Sequence, residues 1–443
     1  MATWWLASGD LGNPTSTSPF AVYYNPTLGG AESTQLTLDV LAGVRHATYE
    51  RNQDAASASS KANAQDPNYL ASNFGTANLT NATALPFFGI SSDLGGSKLI
   101  HVGFASYIPF GGMARWDKND ALTGPGKDGV QRWANIEGSL ISYYNTVAVA
   151  VTIPKTNLSF GINGSLVYSF VNTVRARNSN GSDDYTSNGS LSEGRAWIDA
   201  KGLQAAAAIG MYWAPEGSGK VKVGLSYTMR PNFGQMRLKG VLHQQFGGVA
   251  ERTQTTDVDF LQTFPDVFRL GASTEVNRRL EMRGDIEYVT WSVFKRQCIV
   301  SPGGKCQLYD DGSQLAGGDV KQVIPRNWSD TLGVRVGASF FPYAKHDTQI
   351  FGSVGFKTPP VGREYIDPSG LDSTRFTFAL GGEKWITPHL GIGGSANFEY
   401  FAPVTTDERQ KYSTLAAPSK SPSANGRYTQ IIAFANVNAT YKF

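Results

Sequence analysis

Long hydrophobic runs are missing from this chain of 443 residues. The longest apolar stretch, AAAAIGMYWAP, ends at Pro215 and falls well short of the ~18 apolar residues that a membrane helix requires. A bundle of membrane helices is therefore excluded. A β-barrel is not excluded, because the polar residues that alternate with apolar ones in its strands dilute the hydropathy.

Charge and cysteine are also scarce. Charged residues make up 17% of the chain and the formal net charge is +3, so neither a nucleic-acid footprint nor an acidic tail is indicated. The only two cysteines, Cys298 and Cys306, lie in the stretch CIVSPGGKC, which offers too few ligands for zinc. They are either two free thiols or a disulfide. A short disulfide loop in an oxidising compartment fits the stretch better.

Recognisable catalytic and targeting motifs are absent as well. The five histidines are scattered, and none lies in an HExxH or GxSxG context. We expect no enzyme, no cofactor and no metal site, with a barrel hydrolase and loop-bound calcium as alternatives. The start, MATWWLASGDLG, lacks the basic and apolar parts of a signal peptide, which predicts a cytosolic protein or a mature form with an added Met1.

What the chain does contain is a period of two. In KVKVGLSYTM the residues Val221, Val223, Leu225 and Tyr227 share one face, and the last strand alternates up to Phe443. Such alternation indicates strands with two unlike faces. About 14 runs of this kind occur. They lie near residues 32–50, 86–95, 98–116, 139–153, 157–176, 202–214, 220–238, 258–276, 279–296, 325–342, 348–358, 374–386, 389–402 and 429–443.

The connectors between these runs alternate in length. Short ones such as LGGS and PKTN follow long polar ones such as 51–85, 177–201 and 297–324. A soluble sandwich, the alternative for any single strand, has no reason to sort its loops in this way. Short turns at one end and long loops at the other are typical of an outer-membrane barrel. We therefore predict an all-β, transmembrane antiparallel barrel of about 14 strands whose last aromatic residue sits at the membrane interface.

One strand carries four charges on a single face. In RRLEMRGDIEYVTW, the charged residues alternate with Leu280, Met282 and Ile286. Charges facing lipid cost up to several kcal/mol each, so in a barrel this face must line the lumen. A solvent-exposed face of a soluble sheet is the alternative. The predicted lumen network consists of Arg269, Glu281, Arg283, Asp285, Glu287 and Arg335.

Several stretches, in order along nearly the whole chain, resemble the FadL family of outer-membrane transporters for long-chain fatty acids and other hydrophobic compounds. AVYYNPTLGG is similar to the family's N-terminal hatch motif, with Thr27 in place of the usual alanine. FPDVFRLGASTEVNRRLEMRGDIEYVTWSVF resembles a hairpin of the family that ends in a Trp-Ser strand, and KTPPVGREYIDPSGLDSTRFTFALGGEKWI resembles a later hairpin. The terminal aromatic resembles the assembly signal of outer-membrane barrels generally.

The resemblance implies a hatch formed by residues 1–31 inside a barrel of residues 32–443. It gives the hatch role to Asn25 and Pro26, and it places a kink for lateral opening at Pro109, Gly111 and Gly112, where a plain β-bulge is the alternative. The aromatics Trp4, Trp5, Tyr23 and Tyr24 are poor choices for a tail in water, which also favours a plug. We expect Asn25 to bond wall or hatch backbone near the kink.

The implied function is uptake of hydrophobic small molecules, such as fatty acids or hydrocarbons, across the outer membrane of a Gram-negative bacterium, with lateral release through the barrel wall. The alternative is a FadL-like barrel that serves as a structural adaptor or shuttle. The loops at 177–201 and 239–257 are mostly polar, which weakens the case for a long fatty acid. We expect a monomer without nucleic acid, whose partners are a hydrophobic ligand, outer-membrane lipid or detergent, and the barrel-assembly machinery through the C-terminal strand.

Overall fold

The computed structural model describes residues 12–29, 33–56, 72–97, 99–178, 180–184, 186–187, 190–191, 193–215, 221–247, 253–343, 346–407 and 410–443. Of the predicted hatch, Trp4, Trp5 and Leu6 lie outside the described residues. The described α-helix is the single turn α1 (Ala21–Tyr24). No helix in the described ranges is long and apolar enough to span a membrane.

Strands make up most of the described chain. They are β1 (Gln35–Arg51), β2 (Gly75–Ser92), β3 (Ile100–Arg115), β4 (Glu137–Ile153), β5 (Leu158–Arg177), β6 (Thr186–Ser187), β7 (Ser190–Leu191), β8 (Gly194–Trp213), β9 (Val221–Thr228), β10 (Gln235–Gln245), β11 (Thr253–Thr263), β12 (Val267–Asn277), β13 (Leu280–Val289), β14 (Arg296–Val300), β15 (Val320–Pro325), β16 (Thr331–Phe340), β17 (Thr348–Lys357), β18 (Arg375–Trp385), β19 (Leu390–Thr406) and β20 (Gly426–Lys442). Short 3₁₀ turns lie at Gln53–Ala55, Gly124–Asp128, Pro231–Phe233, Trp291–Val293 and Lys411–Thr414.

The strands form a closed antiparallel barrel of fourteen wall strands, as predicted. The last strand closes it, because β20 pairs with β19 and also with β1, from Lys442 opposite Gln35 to Gly426 opposite Arg51. Alternation explains the two faces of β20. Ile431, Val437 and Tyr441 are exposed on the outside, whereas Asn438 and Thr440 are buried inside.

The connectors are sorted by length, as predicted. The end of the barrel that carries the short connectors at 93–99, 154–157 and 278–279 is called the turn end, and the opposite end is called the loop end. The strand β2 begins at Gly75, eleven positions before the predicted run at 86–95. Near the loop end its outward residues are polar and its inward residues are Ala77 and Leu79, the reverse of the membrane pattern, so the sequence suggested a loop there.

Outward apolar side chains form a band around the barrel nearest the turn end. On β8 this apolar band ends after Leu203, since the next outward residues, Lys201 and Asp199, are charged and exposed. On β1 it ends after Val44, which precedes the outward residues His46 and Thr48. A band of this kind with polar residues beyond it is the surface expected of a barrel wall in lipid.

Four neighbouring wall strands are each broken in two at the level where the apolar band ends. The breaks fall at residues 229–234, 264–266, 290–295 and 326–330, so that β9 and β10, β11 and β12, β13 and β14, and β15 and β16 each form one wall strand. Proline accounts for much of this, because Pro231 and Pro265 cannot donate to a β-ladder. The sequence predicted continuous runs at 220–238, 258–276, 279–296 and 325–342, and it wrongly assigned most of β10, β14 and β15 to the long connectors.

The two cysteines form the predicted disulfide, with their Cα atoms 6.0 Å apart. Its predicted position in a loop is only half right. Cys298 lies inside β14, opposite Leu261 of β11 and Val323 of β15, whereas Cys306 lies in the following connector. The disulfide thus ties the connector to the loop-end part of the broken wall strands.

Substituting Val437 with Lys tests the assignment of the outward face. Val437 lies within the apolar band with 66% of its surface exposed. A lysine at the midplane of a bilayer lowers the unfolding free energy of a barrel by ~2–4 kcal/mol. Chemical unfolding from lipid vesicles measures the loss, and His46→Lys, beyond the band, is the matched control. Equal losses in the two variants would contradict the assignment.

Candidate functional site

Residues 12–29, called the inner segment, run through the barrel and are almost entirely buried. Wall side chains hold the backbone of this segment. The Ser226 hydroxyl donates to the Tyr24 carbonyl (2.7 Å), the Asn163 amide donates to the Val22 carbonyl (3.2 Å), and the Arg335 guanidinium donates to the Gly12 carbonyl. The inner segment is therefore fixed to β5, β9 and β16 by its main chain.

Asn25 ties the inner segment to itself and to the wall. Its side-chain amide donates to the carbonyl oxygens of Pro14 and Met211, both at 2.9 Å, and its Oδ1 accepts from the Thr27 amide (3.2 Å). Met211 lies on β8, so the prediction that Asn25 bonds near the kinked strand is wrong. The contact with β3 is made instead by the ring of Tyr23, 5.2 Å from the ring of Tyr107.

Glycines on the inward wall make room for the inner segment. A Cβ atom at Gly161 would collide with the Pro26 carbonyl, and one at Gly210 with the Asn25 side chain. A Cβ atom at Gly271 would lie 2.7 Å from the Pro14 ring, and one at Gly103 would lie 2.9 Å from Val22. These glycines, which we call the glycine seat, also include Gly224 beside Pro14. Where two backbones approach this closely, only glycine leaves enough room.

The seam between β2 and β3 is paired over only part of its length. The ladder covers Phe88–Ser92 and Val102–Ser106, whereas β1 pairs with β2 as far as Gly75 and β4 pairs with β3 as far as Arg115. Beyond Ser106 the two strands diverge, and they meet again near Arg115. This part of the seam, flanked by residues 82–87 and 107–114, is called the wall gap.

The predicted kink residues flank the wall gap. The register of β3 against β4 shifts between Tyr107 and Phe110, so Ile108 and Pro109 form a bulge. Pro109 has no N–H to donate, and Pro86, which lies across the gap on β2, also has none. Gly111 and Gly112 follow the bulge.

The six predicted lumen charges all lie on inward faces and form ion pairs. Arg269 contacts Glu287 (3.0 Å), Arg335 contacts Asp285 (2.9 Å), and Arg283 contacts Glu281 (2.9 Å). Lys357 was not among the predicted residues, yet its Nζ lies 2.8 Å from the Glu287 carboxylate. Gly333 lies between Glu287 and Lys357 across the sheet, and it has no side chain to keep them apart. Alternation along one strand does not reveal this contact, because it depends on the register of three strands.

Arg269 joins this ion-pair network to the inner segment. Its guanidinium donates to the Tyr23 hydroxyl (2.8 Å) and lies over the Tyr23 ring, 4.5 Å from the centroid. Burial raises the pKa of Tyr23 well above its usual value, although the charge of Arg269 opposes the shift. Tyr23 therefore remains a neutral phenol that accepts from Arg269.

The strand breaks turn large aromatic side chains into the lumen. Phe264, Trp291, Phe294 and Trp328 are all buried there, with the Trp291 and Trp328 rings 4.8 Å apart. Phe110 of the kinked strand stacks on Phe264 with 4.6 Å between centroids. The broken wall strands thus reach across the barrel and pack against the flank of the wall gap.

A cavity of about 120 Å³ lies on the loop-end side of these rings. Its apolar lining comes from both sides of the kinked strand and from the far wall, and includes Met113, Leu140, Val171, Phe260, Leu371, Phe401 and Ile432. Gly111 and Gly112 also line it, so the cavity adjoins the wall gap. Its arginines are engaged with neighbours, since Arg326 contacts Asp367 (3.1 Å) and Arg45 donates to Gln430 (2.7 Å).

The histidines do not come together. His46 faces outward beside Thr80, His101 contacts Thr152 near the turn end, and His243 stacks on Trp197. His346 and His389 lie in turns at the turn end. The described residues contain no group of three or more His, Cys, Asp or Glu side chains that could hold a metal.

Solved structures share this fold. A Pseudomonas aeruginosa FadL homologue aligns with a TM-score of 0.77 at 16% identity, covering 98% of this chain and 96% of that chain. The Pseudomonas putida toluene transporter TodX aligns with a TM-score of 0.66 at 14% identity, covering 97% and 96%. The Ralstonia pickettii toluene transporter TbuX aligns at 0.63 and 12% identity, covering 100% and 98%. The predicted resemblance to the FadL family is thus confirmed for the fold. No protein-family model and no curated protein sequence matches this chain.

Replacing Glu287 with Gln should destabilise the barrel strongly. Glu287 is buried between two cations, Arg269 and Lys357, and its loss leaves their charges uncompensated. Breaking a buried pair in this way costs ~3–5 kcal/mol. Chemical unfolding in lipid measures the change. The control Glu281→Gln removes a carboxylate that pairs with Arg283 on its own strand and should cost less. Equal costs would contradict the arrangement.

Replacing Gly161 with Ala should displace the inner segment. The added methyl group collides with the Pro26 carbonyl, and overpacking of this kind costs ~1–3 kcal/mol. Hydrogen exchange of residues 12–29 should become faster. Gly164→Ala is the matched control, because it lies three residues along the same strand and has open space around its Cβ position. Equal exchange in both variants would refute the glycine seat.

Proposed function

We propose that this protein is an outer-membrane channel for the uptake of hydrophobic small molecules, which leave the lumen sideways through the wall gap. The observation that carries the proposal is the position of the cavity, which adjoins Gly111 and Gly112 at the flank of the gap. An apolar molecule in this cavity is one strand away from lipid.

The size and lining of the cavity fit a small hydrophobic ligand. An apolar protein cavity of ~150 Å³ lined by Leu, Ile and Phe is large enough to bind benzene. The cavity described above is of this order, and Leu140, Phe260 and Ile432 supply part of its lining. Polar side chains such as Arg45, Arg326 and Gln297 supply the rest. The solved neighbours include two toluene transporters and a FadL homologue, which agrees with a single-ring aromatic or another slim hydrophobic compound.

Passage straight along the barrel axis is disfavoured by what lies below the cavity. The aromatic rings come first, and then the inner segment with its ion pairs among Arg269, Glu287 and Lys357. A hydrophobic molecule would have to part these buried charges, at a cost of several kcal/mol for each desolvated ion. The wall gap avoids these ion pairs, and the lipid outside it is the favourable destination. The charged side chain beside it is Arg45, which donates to Gln430 and to the Met113 carbonyl.

In this proposal residues 1–31 are the hatch of a barrel formed by residues 32–443, and Asn25 and Pro26 seat it. The lumen charges hold the hatch through Arg269 and Arg335, each of which contacts both the hatch and a wall carboxylate. The disulfide-tied connector faces the outside of the cell. Assembly proceeds through the C-terminal strand, whose outward residues end on Phe443. An adaptor would share the assembly route but would not need a cavity beside the wall gap.

Uptake by proteoliposomes tests the channel. Vesicles with the purified protein should take up a single-ring aromatic hydrocarbon faster than protein-free vesicles. Gly112→Phe places a ring in the cavity beside the wall gap and should reduce uptake about tenfold, which corresponds to ~1.4 kcal/mol of added barrier. Gly164→Phe, on the outside of β5, is the control. Uptake equal to that of empty vesicles would end the proposal.

Tying the hatch to the wall tests its movement. Asn25→Cys combined with Gly210→Cys puts the two sulfurs where the Asn25 side chain now meets the Gly210 position. If the hatch has to shift for release, uptake in the oxidised form should fall well below that of the reduced form. The unsubstituted protein, treated with the same reductant, controls for its own disulfide. Undiminished uptake in the oxidised variant would refute the hatch mechanism and leave the channel standing.

A further inference from the structure

The wall gap is closed on its loop-end side, called its outer end, by a single side chain. Asn81 of β2 accepts a hydrogen bond from the Arg115 amide on its Oδ1 (2.8 Å) and donates from its Nδ2 to the Arg115 carbonyl (3.1 Å). A primary amide has the same donor and acceptor as a peptide group. Asn81 therefore substitutes for one rung of a β-ladder between two strands that have diverged. We call this pair of bonds the clamp.

Backbone pairing resumes just beyond the clamp. The Asp117 amide donates to the Asn78 carbonyl at 2.9 Å. At the inner end of the gap, the ladder begins with Phe88 opposite Ser106. The gap is thus bounded by main-chain pairing at its inner end and by the Asn81 side chain at its outer end.

The clamp lies where the apolar band ends. Asn81 is opposite Arg45 on β1, between the outward residues Val44 and His46. Below the clamp, the outward residues of β2 are Ala82, Ala84 and Pro86, all exposed and apolar. The wall gap therefore opens toward the apolar band, and the clamp stands at the boundary with the polar surface.

The clamp limits the length of the gap. Residues 82–87 span about 20 Å at ~3.3 Å per residue, which is less than the ~30 Å thickness of a bilayer core. Without the clamp, the next tie between β2 and β3 is at Asn78, three residues further, which adds about 10 Å. A seam tied at both ends opens less widely when the ties are closer together.

We propose that Asn81 is a specificity-determining residue, which sets the outer end of the wall gap and thereby the largest compound that leaves through it. The inference rests on the proposed function, because it presumes lateral release. Slim molecules such as a single aromatic ring pass between the tied strands. Bulkier molecules require the strands to separate further and are held back by the clamp.

Two variants and one control isolate the clamp. Asn81→Ala removes both bonds, and Asn81→Asp keeps the shape and the acceptor for the Arg115 amide but cannot donate to the Arg115 carbonyl. Asn78→Ala is the control. It lies on the same strand, its side chain accepts from Thr48 (3.2 Å), and its carbonyl bond to Asp117 is retained.

The first readout does not depend on transport. Hydrogen exchange of residues 107–117 is followed in lipid nanodiscs. We expect Asn81→Ala to exchange about tenfold faster or more in this segment, since two hydrogen bonds of ordinary strength are lost, with Asn81→Asp intermediate and Asn78→Ala unchanged.

The second readout is the ratio of uptake of a four-ring aromatic hydrocarbon to that of a single-ring one in proteoliposomes. The ratio should rise severalfold in Asn81→Ala, less in Asn81→Asp, and not in Asn78→Ala. Unaltered exchange in Asn81→Ala, or faster exchange with an unaltered ratio, overturns the inference. If the unsubstituted protein takes up neither compound, the proposed function fails with the selectivity role, and exchange alone decides whether Asn81 ties the strands.

Discussion

Backbone pairing is the constraint on which the rest of this structure depends. In the hydrocarbon region of a membrane every N–H and C=O group needs a partner within the protein, because water is absent. Closure of β20 onto β1 along seventeen consecutive pairs meets this need for the two strands at the ends of the chain. The seam between β2 and β3 departs from it, with five pairs.

The departure is tolerable because proline and bulge geometry reduce the number of groups that need a partner. Pro86 and Pro109 bring no N–H to the seam, and the bulge at Ile108 redirects the strand before its two flanks diverge. The rings of Phe110 and Phe264 then cover the inner side. The weak seam is thus local, and β3 remains paired with β4 on both sides of the bulge at Ile108 and Pro109.

The interior combines two ways of filling a lumen. On the side of β5, β8 and β9, glycines let the backbone of the inner segment lie directly on the wall. On the side of β13, β16 and β17, long charged side chains reach inward and pair with one another. Arg269 and Arg335 belong to the charged side and also contact the inner segment, so the position of the segment and the pairing of the charges depend on each other.

Much of the barrel could be predicted from the sequence, because alternation fixes which residues face outward. Alternation, together with the cost of charge in lipid, assigns the charges of β13 to the inward face. Contacts between residues on neighbouring strands could not be predicted from alternation. The contact of Lys357 with Glu287 requires the register of three strands, and the role of Asn81 requires knowing which seam is unpaired. The breaks left a trace in Pro231 and Pro265, but a continuous period of two on either side of each proline concealed them.

The seating of the inner segment also bears on the order in which the chain acquires its structure. Gly12 is held by a residue 323 positions away, and Tyr23 by one 246 positions away. Contacts so distant along the chain form slowly, because a long loop must close before they gain anything. The inner segment, which precedes every wall strand in the sequence, therefore reaches its final place only after β12 and β16 have joined the wall. Closure of the barrel joins residues still further apart, such as Thr37 and Thr440, so by the same argument seating and closure are both late steps.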